Sequence, residues 1–361
     1  MLRSSMAALA GLLLLVAAIL PPPALAQAPL RAELSALQGK AGEPQAAIVR
    51  FTLTNTSRAT VRVLAWQTPF EGIEHDVFDV GFGNEPVAYV GMWAKRGAPT
   101  ASDYLSFKPG ESRSVELDLS EAYAMSKTGT YAVRYRALLA DATDGAGRPL
   151  AKAGAMLTLE SAPLLMFADG SEAFLREPAP GFGTPAGIKA LNPSPSFERC
   201  TTTQQSELVT ALNAARSYAI DSRGYTNAGR TGARYTTWFG TYLASRYTTV
   251  NSHYNAIDDA LGNQVMTFNC GCKKQYFAYV YPNQPYRIYL CRAFWNAAVT
   301  GTDSRAGTLI HEVSHFDVVA NTDDVVYGTA NAKNLAISAP NDAVRNADNH
   351  EYFSENTPAQ N

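Results

Sequence analysis

The string His311-Glu312-Val313-Ser314-His315 places two imidazoles four residues apart, with a carboxylate beside the first. On a helix that spacing turns both rings to one face, about a turn apart, where they can grip a single tetrahedral Zn²⁺. Glu312, one position along, is poised to reach a water at the metal and not the metal itself. Metal-assisted hydrolysis is the chemistry such a set performs. The chain has five histidines, and two of them fall in this motif. That concentration outweighs the reading of the pair as ordinary hydrogen-bonded groups.

A catalytic zinc needs a third protein ligand and an open fourth position. The pattern HExxHxxGxxH would require Gly and His at positions 318 and 321; the chain has Val318 and Asn321, which excludes that class. A glutamate from a later helix would be Glu351 or Glu355. Asp324 is a nearer donor, with Asp323 as its adjacent competitor. The four cysteines, Cys200, Cys270, Cys272 and Cys291, all lie in the C-terminal part. Their even number suits two disulfides in an oxidising compartment. A bridge between Cys270 and Cys272 would be strained, which leaves the two arrangements that join each to a distant partner.

The stretch GTLIHEVSHFDVVANTDDVVYG resembles the deuterolysin, or aspzincin, metalloendopeptidases, in which HExxH is followed by GTxDxxYG. Thr322, Asp324, Tyr327 and Gly328 fall on that pattern, and Asn321 stands where the family usually has Gly. The resemblance implies a zincin-like domain with one Zn²⁺ held by His311, His315 and Asp324, leaving Asp323 out of register. It implies Glu312 as general base and acid, and Tyr327 as a hydrogen-bond donor to the tetrahedral oxyanion. The competing role for Tyr327 is packing of its loop.

Near the C-terminus, NADNHEYFSENTPAQ is similar to the peptidyl-Lys metalloendopeptidase subgroup, as are YTTWFGTYLASRY, FAYVYPN and the string from Cys291 to His315. The similarity spans roughly residues 198 to 361. It implies bridges Cys200 to Cys270 and Cys272 to Cys291. Asp348 and Glu351, spaced i, i+3, share one face of a helix; taken alone, such a pair usually just solvates a surface. The resemblance assigns them to the lysine that supplies the leaving amine, so cleavage falls on the amino side of lysine. A narrow pocket with two carboxylates can desolvate an ammonium and still pair it, whereas a longer, planar guanidinium fits poorly. Lysine is sparse beyond the linker, limited to Lys273, Lys274 and Lys333, which is consistent with limiting self-cleavage.

Helices and strands must position these groups. Leu208, Leu212, Ala215 and Ala219 share one face of a helix starting near Ser206, and Trp238, Tyr242 and Tyr247 belong to a second helical stretch. Val265 to Asn269, Gln275 to Tyr281 and Arg287 to Leu290 are β-like, with Pro282-Asn283-Gln284-Pro285 as a turn. Helical patterns return from about Ser304. The expectation is an α+β, mainly helical C-terminal domain, 197–361, with a small antiparallel sheet.

Residues 27–176 alternate β-formers, as in Ala47 to Leu53 and Thr130 to Tyr135, with turns such as Lys108-Pro109-Gly110; they read as an all-β, sandwich-like domain. Residues 177–196 are dense in Pro and Gly and read as an exposed processing linker carrying Lys189. Residues 1–26 read as a secretory signal, with Arg3, an apolar run from Ala7 to Leu20, and Ala24-Leu25-Ala26 as the cleavage site. That run, about 14 residues, falls short of the ~20 a bilayer span requires. The β-domain carries no cysteine, so inhibition through a thiolate on zinc is excluded, and it reads as a propeptide that covers or helps fold its C-terminal partner.

A net charge of −2 over 361 residues and a pI near 6.2 give no pull toward nucleic acid or anionic membrane. The composite expectation is a secreted, extracellular zinc endopeptidase made as a zymogen, acting on polypeptides at lysine. The alternatives are a deuterolysin-like protease of broader specificity and a non-catalytic, metal-stabilised binding protein.

Overall fold

The computed structural model describes residues 29–37, 39, 44–151, 157–170 and 193–361. The expected signal segment and most of the expected linker, Lys189 included, lie outside these. Ser196, the linker's last residue, opens a strand, Ser196–Glu198.

The N-terminal region is rich in strands because its sequence alternates. Ile48–Asn55 buries every second side chain, and Gly129–Leu138 does the same through Tyr131, Val133, Tyr135 and Ala137. Ile48–Asn55 lies between Leu30–Ala36 and Ser112–Asp118 in one antiparallel sheet. Val61–Leu64 pairs with Tyr104–Phe107 and Thr143–Asp144 in a second. Gly129–Leu138 pairs with Phe78–Phe82, Thr158–Glu160 and Leu164–Ala168 in a third. Lys108-Pro109-Gly110 turns the chain between two strands, with Gly110 at φ 75° where a Cβ would be strained. Phe51, Phe78, Phe107, Tyr123 and Tyr135 fill the core these sheets share.

The C-terminal region is mainly helical. Its long helix Thr202–Asn227 begins earlier than the apolar pattern suggests, because Thr201 and Gln204 form a capping box one turn ahead of it. Leu208, Leu212, Ala215 and Ala219 are all buried there. The second helical stretch is in fact two helices, Ala233–Phe239 and Ala244–Asn263, with Tyr242 exposed between them. Gly240 separates them at φ 76°, and a Cβ on it would run into the Ala336 carbonyl.

The sheet departs from the expected antiparallel form. Ser196–Glu198, Thr267–Asn269 and Arg287–Leu290 run parallel, and Ala278–Val280 pairs antiparallel to the last. The three helices between Glu198 and Thr267 form a crossover that returns the chain in the same direction, which a tight turn cannot do. A fifth strand, Trp93–Lys95, comes from the N-terminal region and pairs antiparallel with Ala278–Val280. Disulfides Cys200–Cys270 and Cys272–Cys291 tie the sheet ends to neighbouring chain. Among the described residues, no helix is long and apolar enough to cross a membrane.

Candidate active site

Ser304 starts the helix Arg305–Ser314 by accepting from the Gly307 amide. Every residue from Ala306 to Ser314 is buried, so His311 and Glu312 are held by packing on all sides. His315 caps the helix with αR backbone and keeps its ring on the His311 face. The chain then loops back through Asn321 at φ 47°, a conformation that Gly and Asn adopt most readily. This accounts for Asn in a position the family pattern gives to Gly. Ser314 Oγ bonds Thr322 Oγ1 at 2.6 Å and fastens the returning loop to the helix.

The loop brings Asp324 onto both imidazoles. Its Oδ1 lies 3.0 Å from His311 Nε2 and 3.5 Å from His315 Nε2. None of these three buried atoms has an aligned hydrogen-bond partner. Converging, orphaned lone pairs of two imidazoles and a carboxylate form a donor set that Zn²⁺ satisfies. His315 Nδ1 donates to the Thr322 carbonyl at 2.7 Å, since a carbonyl can only accept; the Nε2 lone pair therefore points to the cluster. Asp323 is turned away and paired with Arg345. Glu355 is also elsewhere, accepting from Ser304 N and Oγ at 2.8 Å each, and burial together with the neighbouring Glu351 charge lifts its carboxyl to about 8.

Glu312 is fully buried, with Oε2 unpartnered. Burial raises its carboxyl to about 7 against the opposing pull of His311 and His315. Tyr327 is buried between the rings of Trp66 and His75. Burial, and then the charge of Asp324, push its hydroxyl well above the ordinary range, so it remains a proton donor.

Asp348 and Glu351 project from the helix Ala347–Glu355 toward the far side of His311. Asp348 Oδ1 is 3.0 Å and Glu351 Oε2 is 3.3 Å from His311 Nδ1. The Gly328 amide donates to the other Asp348 oxygen at 2.6 Å. Between the two carboxylates sits the ammonium of Lys95, 3.0 Å from Asp348 and 2.8 Å from Glu351. Two residues that sequence reasoning missed complete this pocket. Asp303 Oδ1 lies 3.0 Å from the ammonium, and the Tyr352 hydroxyl, at 3.4 Å, donates to Asp303. The sequence around Asp303, Gly-Thr-Asp-Ser, signals only a turn before a helix. Burial opposes charge on Lys95, yet Asp348 and Glu351 hold its ammonium well above the usual range. Burial likewise works against Asp348, and Lys95 and His311 keep its carboxyl below the usual range.

A family model described as lysine-specific metallo-endopeptidase, of the aspzincin type, matches residues 224–355. An extracellular protease of Aeromonas hydrophila is 44% identical over 96% of this chain and 98% of its own length. The chain belongs to the aspzincin family and is a zinc metalloendopeptidase. A peptidyl-Lys metalloendopeptidase of Grifola frondosa is 38% identical over 86% of this aspzincin and 88% of its own length. A peptidyl-Lys metalloendopeptidase of Pleurotus ostreatus is 48% identical over 98% of its own length, which spans 45% of the aspzincin described here.

Proposed function

We propose that this aspzincin is a secreted endopeptidase, made as a zymogen, that cleaves peptide bonds on the amino side of lysine. The observation that carries the reading is the Lys95 ammonium. Its three N–H donors face three carboxylates, Asp303, Asp348 and Glu351, beside the convergence of His311, His315 and Asp324. A guanidinium is too broad and flat for that tetrahedral arrangement.

His311, His315 and Asp324 would hold Zn²⁺, which supplies a Lewis acid for the scissile carbonyl and acidifies an attacking water. Glu312 takes a proton from that water as its oxygen joins the carbonyl carbon. Tyr327 donates to the carbonyl oxygen as it gains negative charge. The C–N bond then breaks, and Glu312 passes the proton to the lysine nitrogen, releasing a free α-amine. Asp348, Glu351 and Asp303 keep the ammonium fixed, so the bond cut is the one preceding lysine. Secretion is supported by the Ala24-Leu25-Ala26 processing signal, the extracellular relative and the two disulfides.

Digestion of a denatured protein, with and without a chelator, tests the reading. New N-termini beginning with lysine, lost on chelation and restored by Zn²⁺, are the expected result. New termini without lysine would reduce the function to a broader aspzincin endopeptidase.

A further inference from the structure

Asp348, Glu351, Tyr352 and Glu355 stand at i, i+3, i+4 and i+7 on the helix Ala347–Glu355. That spacing keeps them on one stripe. The first three approach the Lys95 ammonium, at 3.0, 2.8 and 3.4 Å, and Glu355 turns instead to the loop that enters the helix Arg305–Ser314. We infer that Glu355 is a positioning residue for lysine recognition, which fixes the backbone of Asp303 so that the Asp303 carboxylate closes the outer side of the pocket. This rests on the lysine-directed reading above and adds a residue that acts without touching substrate or metal.

The two oxygens of Glu355 serve different groups. Oε1 accepts from the Ser304 amide and from Ser304 Oγ, at 2.8 Å each, and Oε2 accepts from the Asp303 amide at 3.2 Å. Ser304 Oγ in turn accepts from the Gly307 amide at 2.9 Å and so caps the helix that carries His311 and Glu312. One carboxylate therefore ties Asp303 to the start of that helix. Its own helix gains nothing electrostatic from it. Glu355 is the last residue there and only 5% exposed, and a carboxylate at a helix C-terminus opposes the macrodipole. The compensation lies at the N-terminus of Arg305–Ser314, where negative charge is favoured.

Asp303 shows what this anchoring accomplishes. Its φ is 51°, a left-handed conformation that a residue other than glycine holds when its surroundings impose it. Glu355 on the backbone amide and the Tyr352 hydroxyl on the carboxylate, at 2.8 Å, impose it here. Held in this way, Asp303 Oδ1 reaches the ammonium at 3.0 Å. The other two carboxylates are 0% exposed, but the Asp303 side chain is 38% exposed. Packing alone therefore fixes the first two, whereas a released Asp303 would turn to water.

The test is built on Glu355→Gln, whose side-chain carbonyl can keep both bonds to Ser304 while its amide nitrogen, a donor, cannot accept from Asp303. For the zinc-loaded enzyme, kcat/KM is measured on a peptide with one lysine and on its alanine-for-lysine twin. Glu355→Gln is expected to lower the lysine-to-alanine ratio by about five- to tenfold, close to the effect of Asp303→Asn. The double variant should fall no further than Asp303→Asn alone, since both changes break one link. Equal losses on the two peptides, or losses that multiply in the double variant, would overturn the inference. If the parent shows no preference for the lysine peptide, the lysine-directed reading fails and the inference falls with it. Amide exchange on the full chain carrying Glu312→Gln supplies a measurement independent of turnover. There Glu355→Gln should speed exchange at Asp303 on the order of tenfold, while the Gly307 amide, bonded to Ser304, keeps its protection. An Asp303 amide as slow as in the parent, or parallel acceleration at Gly307, would also overturn the inference. Should Glu355→Gln not fold, Glu355→Asp, which keeps the charge on a shorter stem, replaces it in both measurements.

Discussion

Asp303 differs from the other two carboxylates around the lysine ammonium in being partly open to solvent, with its side chain 38% exposed. It is also held from two directions, by the Tyr352 hydroxyl on its side chain and by Glu355 on its backbone amide. A charged hydrogen bond to an ammonium is worth about 1.5–3 kcal/mol when buried, and solvent screening places this one at the low end. Asp303→Asn should therefore lower kcat/KM for lysine peptides about tenfold while leaving slow cleavage of other sequences unchanged. Equal kcat/KM for mutant and parent would limit Asp303 to pairing with Lys95 in the intact chain. The sequence exposes His311, Glu312 and His315 because four-residue spacing on a helix is a local property. Asp303 and Lys95 reach the same place through tertiary contacts that leave no periodic trace.

Gly307 shows why the helix that carries His311 and the helix that carries Asp348 and Glu351 form one unit. The helices Arg305–Ser314 and Ala347–Glu355 approach so closely there that a Cβ would collide with the Glu355 carboxylate and press on Glu351. Gly307→Ala should destabilise the protein by about 1–3 kcal/mol, the usual cost of overpacking, read as a lower urea midpoint. An unchanged midpoint would mean that the helices have room to part. The helices Ala244–Asn263 and Ala347–Glu355 meet at a histidine pair, with His253 Nδ1 3.0 Å from His350 Nε2. Because His350 Nδ1 faces the Asn346 carbonyl and must donate to it, His350 Nε2 accepts and His253 Nδ1 donates; both rings are neutral. Burial depresses His253 to about 4 and, with the His253 charge added, holds His350 well below its ordinary value. The unfolded chain takes up these protons first, near 6.5. Their stabilisation is therefore complete above about pH 6.5 and is lost as pH falls toward 4, by roughly 2 kcal/mol for a partly exposed group such as His253. Urea midpoints at pH 7.5 and 5.0 should separate more for the parent than for His253→Gln; an equal separation would discount the pair. At this scale the sequence reveals apolar faces and β-runs. It conceals strand direction, because Ser196–Glu198 runs parallel to Thr267–Asn269 through a crossover some 70 residues long, a length set by the packed helices and not by any local pattern.

Among the described residues, the largest apolar cores lie in the N-terminal sheets and in the C-terminal helices, and Trp93 belongs to the second although the strands before and after it, Phe78–Phe82 and Tyr104–Phe107, supply Phe78, Val80 and Phe107 to the first. Its ring also meets Tyr89 at 5.0 Å and His75 at 5.5 Å, so one side chain links both regions beside the His315 ring. Composition and alternation made two regions legible from the sequence. The junction was not, because a three-residue strand is too short to show alternation and its partner is nearly two hundred residues away. Removing a large buried ring costs about 3–5 kcal/mol. In Trp93→Ala that loss should fall mainly on the joined state, since the C-terminal core retains its other aromatic and aliphatic members. Amide exchange distinguishes this from general unfolding. The Phe277 amide, bonded to the Lys95 carbonyl, should exchange on the order of 100-fold faster, while the amides of Arg305–Ser314 keep their protection. Parallel acceleration of both would show that Trp93 supports the C-terminal fold itself and that the two regions do not separate at this strand.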